Sequence, residues 1–451
     1  MMESSLRIYF AAEITLVFLS ALLSFMIAIV PDKTFIIMDL ELVVYLAIIY
    51  LNFRRKKAFN LYQIWLVAYV FIIWAEMCII ANKEAFSYSY IIPFIRFSVA
   101  NACVLLGYLF FRNEKNYSYH KSQIKSNSWF AAILVMLSFY FIYKRLPTAM
   151  NNFNYGRSLV SAKGGGSVAK SLSSALGMIL PALIAYYCRY VKKRNILFCF
   201  IMAFPIIVLQ VFLSTRYKFF FSILPFLIIT GIFNIKKNGK KHLLLLVSCM
   251  IVMVAVSTYV KENRNMGFAN VEEDYFSKEN EDISTTRLTV KIAKQMSPEG
   301  VIRMARIADV YFSTHALHYG RESAFILYFW VPRSLWDDKP SMLDYWLIRE
   351  HDPFVADTYS SASGFIGELR ADFGWGCLLF ALLIGCLLNK LDSFCSAVFS
   401  RQTHSLDMVL ASIIYPWVFF FIRSPQTSTM AFLWEILIYL ILRQLFTKKE
   451  M

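Results

Sequence analysis

Lys192-Lys-Arg-Asn-Ile-Leu-Phe-Cys-Phe-Ile-Met-Ala-Phe-Pro-Ile-Ile-Val-Leu-Gln-Val-Phe-Leu213 joins a knot of bases to an almost unbroken apolar run. The run is apolar on every side, without the period of an amphipathic helix or of a half-buried strand. It is long enough to cross the hydrocarbon core of a bilayer as a helix. In lipid each backbone polar group must be satisfied within its own segment, so a helix is expected there and an open sheet is not. The same unit, a basic cluster beside an apolar block, recurs along the chain.

Composition extends that reading to the whole sequence. The 451 residues are 58% hydrophobic and 17% charged, against about 45–50% apolar and about 25% charged in a soluble domain. The expected fold class is an all-α polytopic membrane protein. A net charge of +16 invites a nucleic-acid partner. The surplus sits in short hinges between apolar blocks, without interleaved aromatics, so no nucleic acid is expected. Seven of the eight cysteines lie in apolar blocks and no Cys-x-x-Cys occurs. Neither a disulfide framework nor a zinc site is indicated. The first apolar block is too long for a signal-peptide core and reads as a retained span.

Twelve blocks can be marked, at about 8–30, 34–52, 61–81, 90–111, 127–146, 171–189, 195–213, 218–235, 243–260, 373–389, 406–422 and 429–446. Alternate short loops hold the bases: Arg54, Arg55, Lys56 and Lys57, then Arg112 and Lys115, then Lys192, Lys193 and Arg194, then Lys236 and Lys237. The loops between them hold little beyond Lys33, Lys83, Arg216, Lys218 and Arg423. The positive-inside rule then places both termini in the cytoplasm and residues 261–372 outside. The expected organisation is nine spans over 1–260, a large outer loop over 261–372, and three spans over 373–451.

That loop is the one long polar stretch. Val301, Met304, Ala305 and Ala308 recur at helical spacing, as do Leu288, Ile292 and Met296, which predicts two short amphipathic helices. The apolar run 323–332 is too short to span and is expected to be re-entrant or interfacial. Trp330 and Trp336 suit the headgroup zone. Within the spans, Glu13, Asp39, Glu41, Glu76, Arg96 and Glu435 are costly and call for partners; Arg96 with Glu76 or Asp39 is one expected pairing.

The outward bases carry the first chemical hint. Arg216, Lys218, Arg264, Arg287, Arg333, Lys339, Arg370 and Arg423 could converge above the membrane. Guanidinium forks match phosphate oxygens, and a lipid pyrophosphate at the outer leaflet would need such partners. Outward proton acceptors are His315, His318, His351, Glu368 and Asp337 or Asp338; an imidazole titrates near neutral pH and suits a general base. No His-Glu-x-x-His, phosphate-binding Gly-rich loop or Gly-x-Ser-x-Gly occurs.

Four stretches resemble one family. Val331-Pro-Arg-Ser-Leu-Trp-Asp-Asp-Lys-Pro-Ser341 is similar to a stretch of form Pro-x-x-x-Trp-Pro-x-x-Pro-Ser, with Asp337 in place of the usual proline. Ser361-Ala-Ser-Gly-Phe-Ile-Gly-Glu-Leu-Arg-Ala-Asp-Phe-Gly374 leads into a span. Ser214-Thr-Arg216 opens one where relatives tend to have Gly-x-Arg, and Arg423 precedes the last. Together with the layout, these resemble the oligosaccharide repeat unit polymerases, the Wzy-type O-antigen polymerases of bacterial surface polysaccharide synthesis.

The resemblance implies a GT-C-like glycosyltransferase architecture in the bacterial inner membrane, with the active site on its periplasmic side and no cofactor. It implies transfer of a growing glycan from undecaprenyl pyrophosphate to a sugar hydroxyl of a new lipid-linked repeat. Partners would be the undecaprenyl-pyrophosphate-linked oligosaccharides, membrane lipid and a chain-length regulator. Arg216, Lys218, Arg333, Lys339 and Arg423 are then candidates to hold the pyrophosphate, and His318, His351 and Glu368 candidates for the general base. The alternatives are an O-antigen ligase-type glycan transferase and a flippase for the lipid-linked oligosaccharide.

Overall fold

The computed structural model describes residues 2–56, 60–82, 88–110, 128–155, 168–213, 216–231, 256, 290, 300–331, 335–336, 338–351, 362–400 and 405–446. Among the described residues there are helices and no β-strand. Numbered in chain order, the longer ones are α1 (Met2–Ile29), α2 (Thr34–Lys56), α3 (Leu61–Tyr69) continuing through a π-turn into α4 (Ala75–Ala81), α5 (Tyr88–Phe110), α6 (Ser128–Tyr155), α7 (Val168–Tyr186), α8 (Ile196–Phe212) and α9 (Arg216–Thr230). Four short helices follow: α10 (Val301–Thr314), α11 (Arg321–Tyr328), α12 (Leu343–His351) and α13 (Gly364–Phe373). The chain closes with α14 (Cys377–Ser400), α15 (Asp407–Phe421) and α16 (Pro425–Phe446).

Among the described residues eight helical stretches are long and apolar enough to cross a membrane, and three shorter apolar helices lie at Ile196–Phe212, Lys218–Thr230 and Asp407–Phe421. This is a multi-pass, all-α membrane protein. The apolar block expected at 243–260 lies outside the described residues except for Val256.

The helices form two units. The first comprises Met1–Lys115, Thr286–Ser393 and Val418–Thr427. Its spans are joined by close backbone approach and by polar side chains, the means available where lipid removes the hydrophobic drive between helices. A Cβ at Gly107 would sit 2.2 Å from Leu382 O, and one at Gly385 2.0 Å from Val104 O, so α5 and α14 cross through glycine. Beside the crossing, Asp392 accepts from Tyr108 Oη at 2.6 Å and from the Leu61 N–H at 3.0 Å. Deeper, buried Glu41 accepts from Ser24 Oγ and Tyr45 Oη, each at 2.9 Å, tying α1 to α2. Trp65 Nε1 donates to Asn101 at 2.8 Å, linking α3 to α5.

Of the two helices expected in the polar loop, the second is α10, whose Val301, Met304, Ala305 and Ala308 are all buried. Leu288, Ile292 and Met296 lie outside the described residues. The run expected to be re-entrant or interfacial starts as α11, with Leu327 and Trp330 exposed. Met304, Ala308, Phe312, Leu343, Leu347, Ile348 and Ala371 make a small core shared by α10, α12 and α13. Two charged groups of the spans hold α10. Glu76 of α4 accepts the Arg303 N–H at 3.3 Å, serving a helix whose N-cap, Gly300, has no side chain to do so. Arg96 of α5 pairs with Asp309 of α10, in place of the Glu76 or Asp39 expected from sequence.

The second unit comprises Asn116–Thr285, Phe394–Trp417 and Ser428–Met451. Here α7 is central, and Gly177 lets its neighbours close in: a Cβ there would lie 2.2 Å from Gln210 Nε2 and 2.3 Å from Phe141 Cε2. Ser222 Oγ donates to the Gly177 carbonyl at 3.0 Å, fixing α9 on the same spot.

Candidate active site

The best-built polar cluster among the described residues stands on α13, in the first unit. The start of α13 is fixed by packing: Gly364 has φ +73°, and a Cβ there would lie 2.7 Å from both Phe97 Cζ and Val301 Cγ1. Only glycine suits that conformation in that space. Phe365 packs on Trp65 and Phe97 of the spans, and its N–H donates to Ile422 O at 3.1 Å, in the turn before α16. Glu368 and Asp372, four residues apart, share one helical face, while Arg370 between them points to the other.

Asp372 starts α11. Its carboxylate accepts the Glu322 N–H at 2.9 Å, the Ser323 N–H at 2.7 Å and Ser323 Oγ at 2.6 Å. Like α10, α11 begins on a left-handed glycine, Gly320 (φ 91°), with no cap of its own, so a distant acid provides it. This seats Glu322 in the interior, where its side chain is 1% exposed. Glu322 Oε1 lies 2.7 Å from His318 Nδ1, and Oε2 accepts from Gln426 Nε2 at 2.9 Å. Gln426 Nε2 also donates to the Glu322 carbonyl at 2.9 Å, and the Gln426 N–H donates to Glu368 at 3.3 Å. One chain of hydrogen bonds thus runs from His318 through Glu322 and Gln426 to Glu368.

The imidazole is held on its faces too. Phe312 and Trp346 meet the His318 ring edge-on at 4.9 and 5.1 Å, and the main-chain N–H of His318 donates to Ala371 O at 2.8 Å. A carboxylate only accepts, so Nδ1 is the donor, which in a neutral imidazole leaves the lone pair on Nε2. The side chain is 12% exposed, enough to be reached from one edge. Burial, then the nearby Glu322 carboxylate, pushes the Tyr328 phenol above its ordinary pKa, so it stays a donor to Arg321 O at 3.0 Å.

Of the residues singled out from sequence, His318 and Glu368 come together through Glu322 and Gln426, and Arg423 stands in the turn just before α16, which carries Gln426. Lys339 donates to Phe329 O at 2.7 Å and Val331 O at 2.8 Å, closing the turn after α11. Lys218 is half-buried in the second unit, where Arg216 opens α9. Arg333 and the side chains of Arg216 and His351 lie outside the described residues. His315 stacks on Tyr311 at 3.9 Å, in the open. Among the described residues no three His, Cys, Asp or Glu side chains gather as metal ligands.

Comparison with protein families matches residues 12–450 to O-antigen polysaccharide polymerase Wzy. The chain belongs to the O-antigen polysaccharide polymerase family. Membership gives it a role in polymerising O-antigen repeat units, in agreement with the resemblance read from its motifs. Neither a curated protein nor a solved structure matches the chain. Within an O-antigen polymerase, Glu322, Asp372 and Gln426 are the site residues that sequence reasoning missed. The available signal was His318-x-x-x-Glu322, the spacing that brings two side chains together on a helix, although Gly320 stands between them.

Proposed function

We propose that this protein is a glycosyltransferase of the bacterial inner membrane, with both termini cytoplasmic and 261–372 on the periplasmic side. It transfers a growing glycan from undecaprenyl pyrophosphate to a sugar hydroxyl of a new lipid-linked repeat. The observation that carries this reading is the half-buried His318–Glu322–Gln426 chain, which engages Nδ1 and leaves Nε2 of the neutral imidazole to accept a proton. His318 Nε2 takes the proton of the acceptor hydroxyl. The hydroxyl oxygen bonds to the anomeric carbon, and the bond from that carbon to the pyrophosphate oxygen breaks, its electron pair leaving with the pyrophosphate. Glu322 stabilises the imidazolium formed. Arg423, with Arg333, stabilises the charge that grows on the leaving group. Glu368 and Lys339 act as positioning residues, since both already hold main-chain groups. A chain-length regulator is a partner on this reading.

The test is complementation of a strain that lacks the polymerase. His318→Ala and Arg423→Ala, each present in the membrane at the wild-type level, should leave single repeats attached to lipopolysaccharide and no ladder. Loss of a general base alone accounts for about 100-fold or more in rate. A normal ladder in both variants would overturn the assignment.

A further inference from the structure

The other face of α13 carries a second polar feature, unused by the mechanism. Arg370 Nε lies 3.9 Å from Asp309 Oδ1, the same oxygen that pairs with Arg96 Nη1. The side chains of Arg96, Asp309 and Arg370 are 10%, 17% and 14% exposed. Two guanidiniums thus share one carboxylate, and the trio keeps one positive charge in a poorly solvated place. Uncompensated buried charge is strongly unfavourable, so such a site calls for an anion. Among the described residues Arg370 Nε is buried with no hydrogen-bond partner, as is Asp309 Oδ2. Clamping α10 to the spans explains Arg96, but not Arg370, which is too far from Asp309 for a hydrogen bond. The opening is marked by Trp375, 71% exposed, whose ring lies 5.2 Å from the Arg96 guanidinium. Arg96 lies about two turns into α5, and Trp375 stands just ahead of α14, at a helix end where a tryptophan belongs to the headgroup zone.

We propose that Arg96 and Arg370 form an anion site for the phosphate-bearing headgroup of a lipid, on the far side of α13 from His318. It rests on the reading above that this lipid is one of the two lipid-linked repeats the reaction joins, so that each pyrophosphate has its own bases. Arg370 supplies the fork, Arg96 the second charge, and Asp309 tunes the site by holding part of that charge back.

The test is calorimetric titration of the purified full-length protein with inorganic pyrophosphate. Arg370→Gln should remove one binding event or weaken it about 10-fold or more, as expected for charge-assisted bonds. Asp309→Asn should strengthen the same event, because it frees both guanidiniums; a purely structural ion pair gives no such gain. Repeating the titration in phosphatidylcholine nanodiscs with and without phosphatidylglycerol separates the sources. Competition by phosphatidylglycerol assigns the Arg370-dependent event to bulk anionic lipid, and none assigns it to the lipid-linked substrate. Wild-type isotherms in both Arg370→Gln and Asp309→Asn overturn the proposal. Elongation by His318→Ala is scored separately: if that variant stays active, the catalytic reading fails and the anion site is untouched.

Discussion

Glu322 decides what His318 can do. An imidazole with both nitrogens free is a poor bet as an oriented base, whereas one whose Nδ1 donates to a fixed carboxylate presents Nε2 in a single direction. Glu322 is fixed twice, by Gln426 at the start of α16 and by its own N–H on Asp372. Glu322→Gln keeps the shape and loses the charge that favours the imidazolium. It should lower elongation about 10- to 100-fold, a range typical of residues that orient a functional imidazole, with little change in thermal stability; radiolabelled elongation beside a thermal-shift assay checks both. Sequence alone marked His318 as one of several acceptors and could not choose among them. Its partners come from α11, α13 and α16, and nothing in local composition says that 322, 368 and 426 meet. Arg96 teaches the same lesson: its cost in a span was plain, but Asp309, its partner, lies more than two hundred residues away.

At the scale of elements, α10 and α11 begin on glycines and borrow their caps from Glu76 and Asp372. Asp372→Ala should therefore destabilise α11 by about 1 kcal/mol, the usual worth of a cap. It should also lower elongation, since α11 carries Glu322. Hydrogen exchange confined to 320–328 is the check, and unchanged exchange there would remove Asp372 from its role. The α5–α14 crossing is less forgiving. Gly385→Ala puts a methyl 2.0 Å from a carbonyl oxygen that belongs to helix backbone. Overpacking of this kind costs about 1–3 kcal/mol, which should appear as a lower melting temperature in detergent. The spans and α10 were legible because hydrophobicity and its period act locally. The caps and glycine contacts were not, because they arise only when distant segments meet.

For the whole molecule, the layout of bases predicts which loops face which side. In a cysteine-free background, Ser277→Cys should react with an impermeant maleimide on intact spheroplasts, and Asn238→Cys only after permeabilisation. The reverse pattern would invert the molecule and move His318 to the cytoplasm. Class was readable from composition and block lengths, which act locally, and the family from the resemblance of the motifs around Trp336, Glu368 and Arg423. The central claim joins all three scales: a span-anchored platform, a capped helix and one oriented imidazole form the base of a glycan polymerase. Single-turnover elongation of a purified lipid-linked repeat by wild type, His318→Ala, Glu322→Gln and the double variant tests it most directly. If Glu322 acts through His318, the double variant is no slower than His318→Ala alone. Full activity in His318→Ala, or defects that multiply in the double variant, would contradict the account.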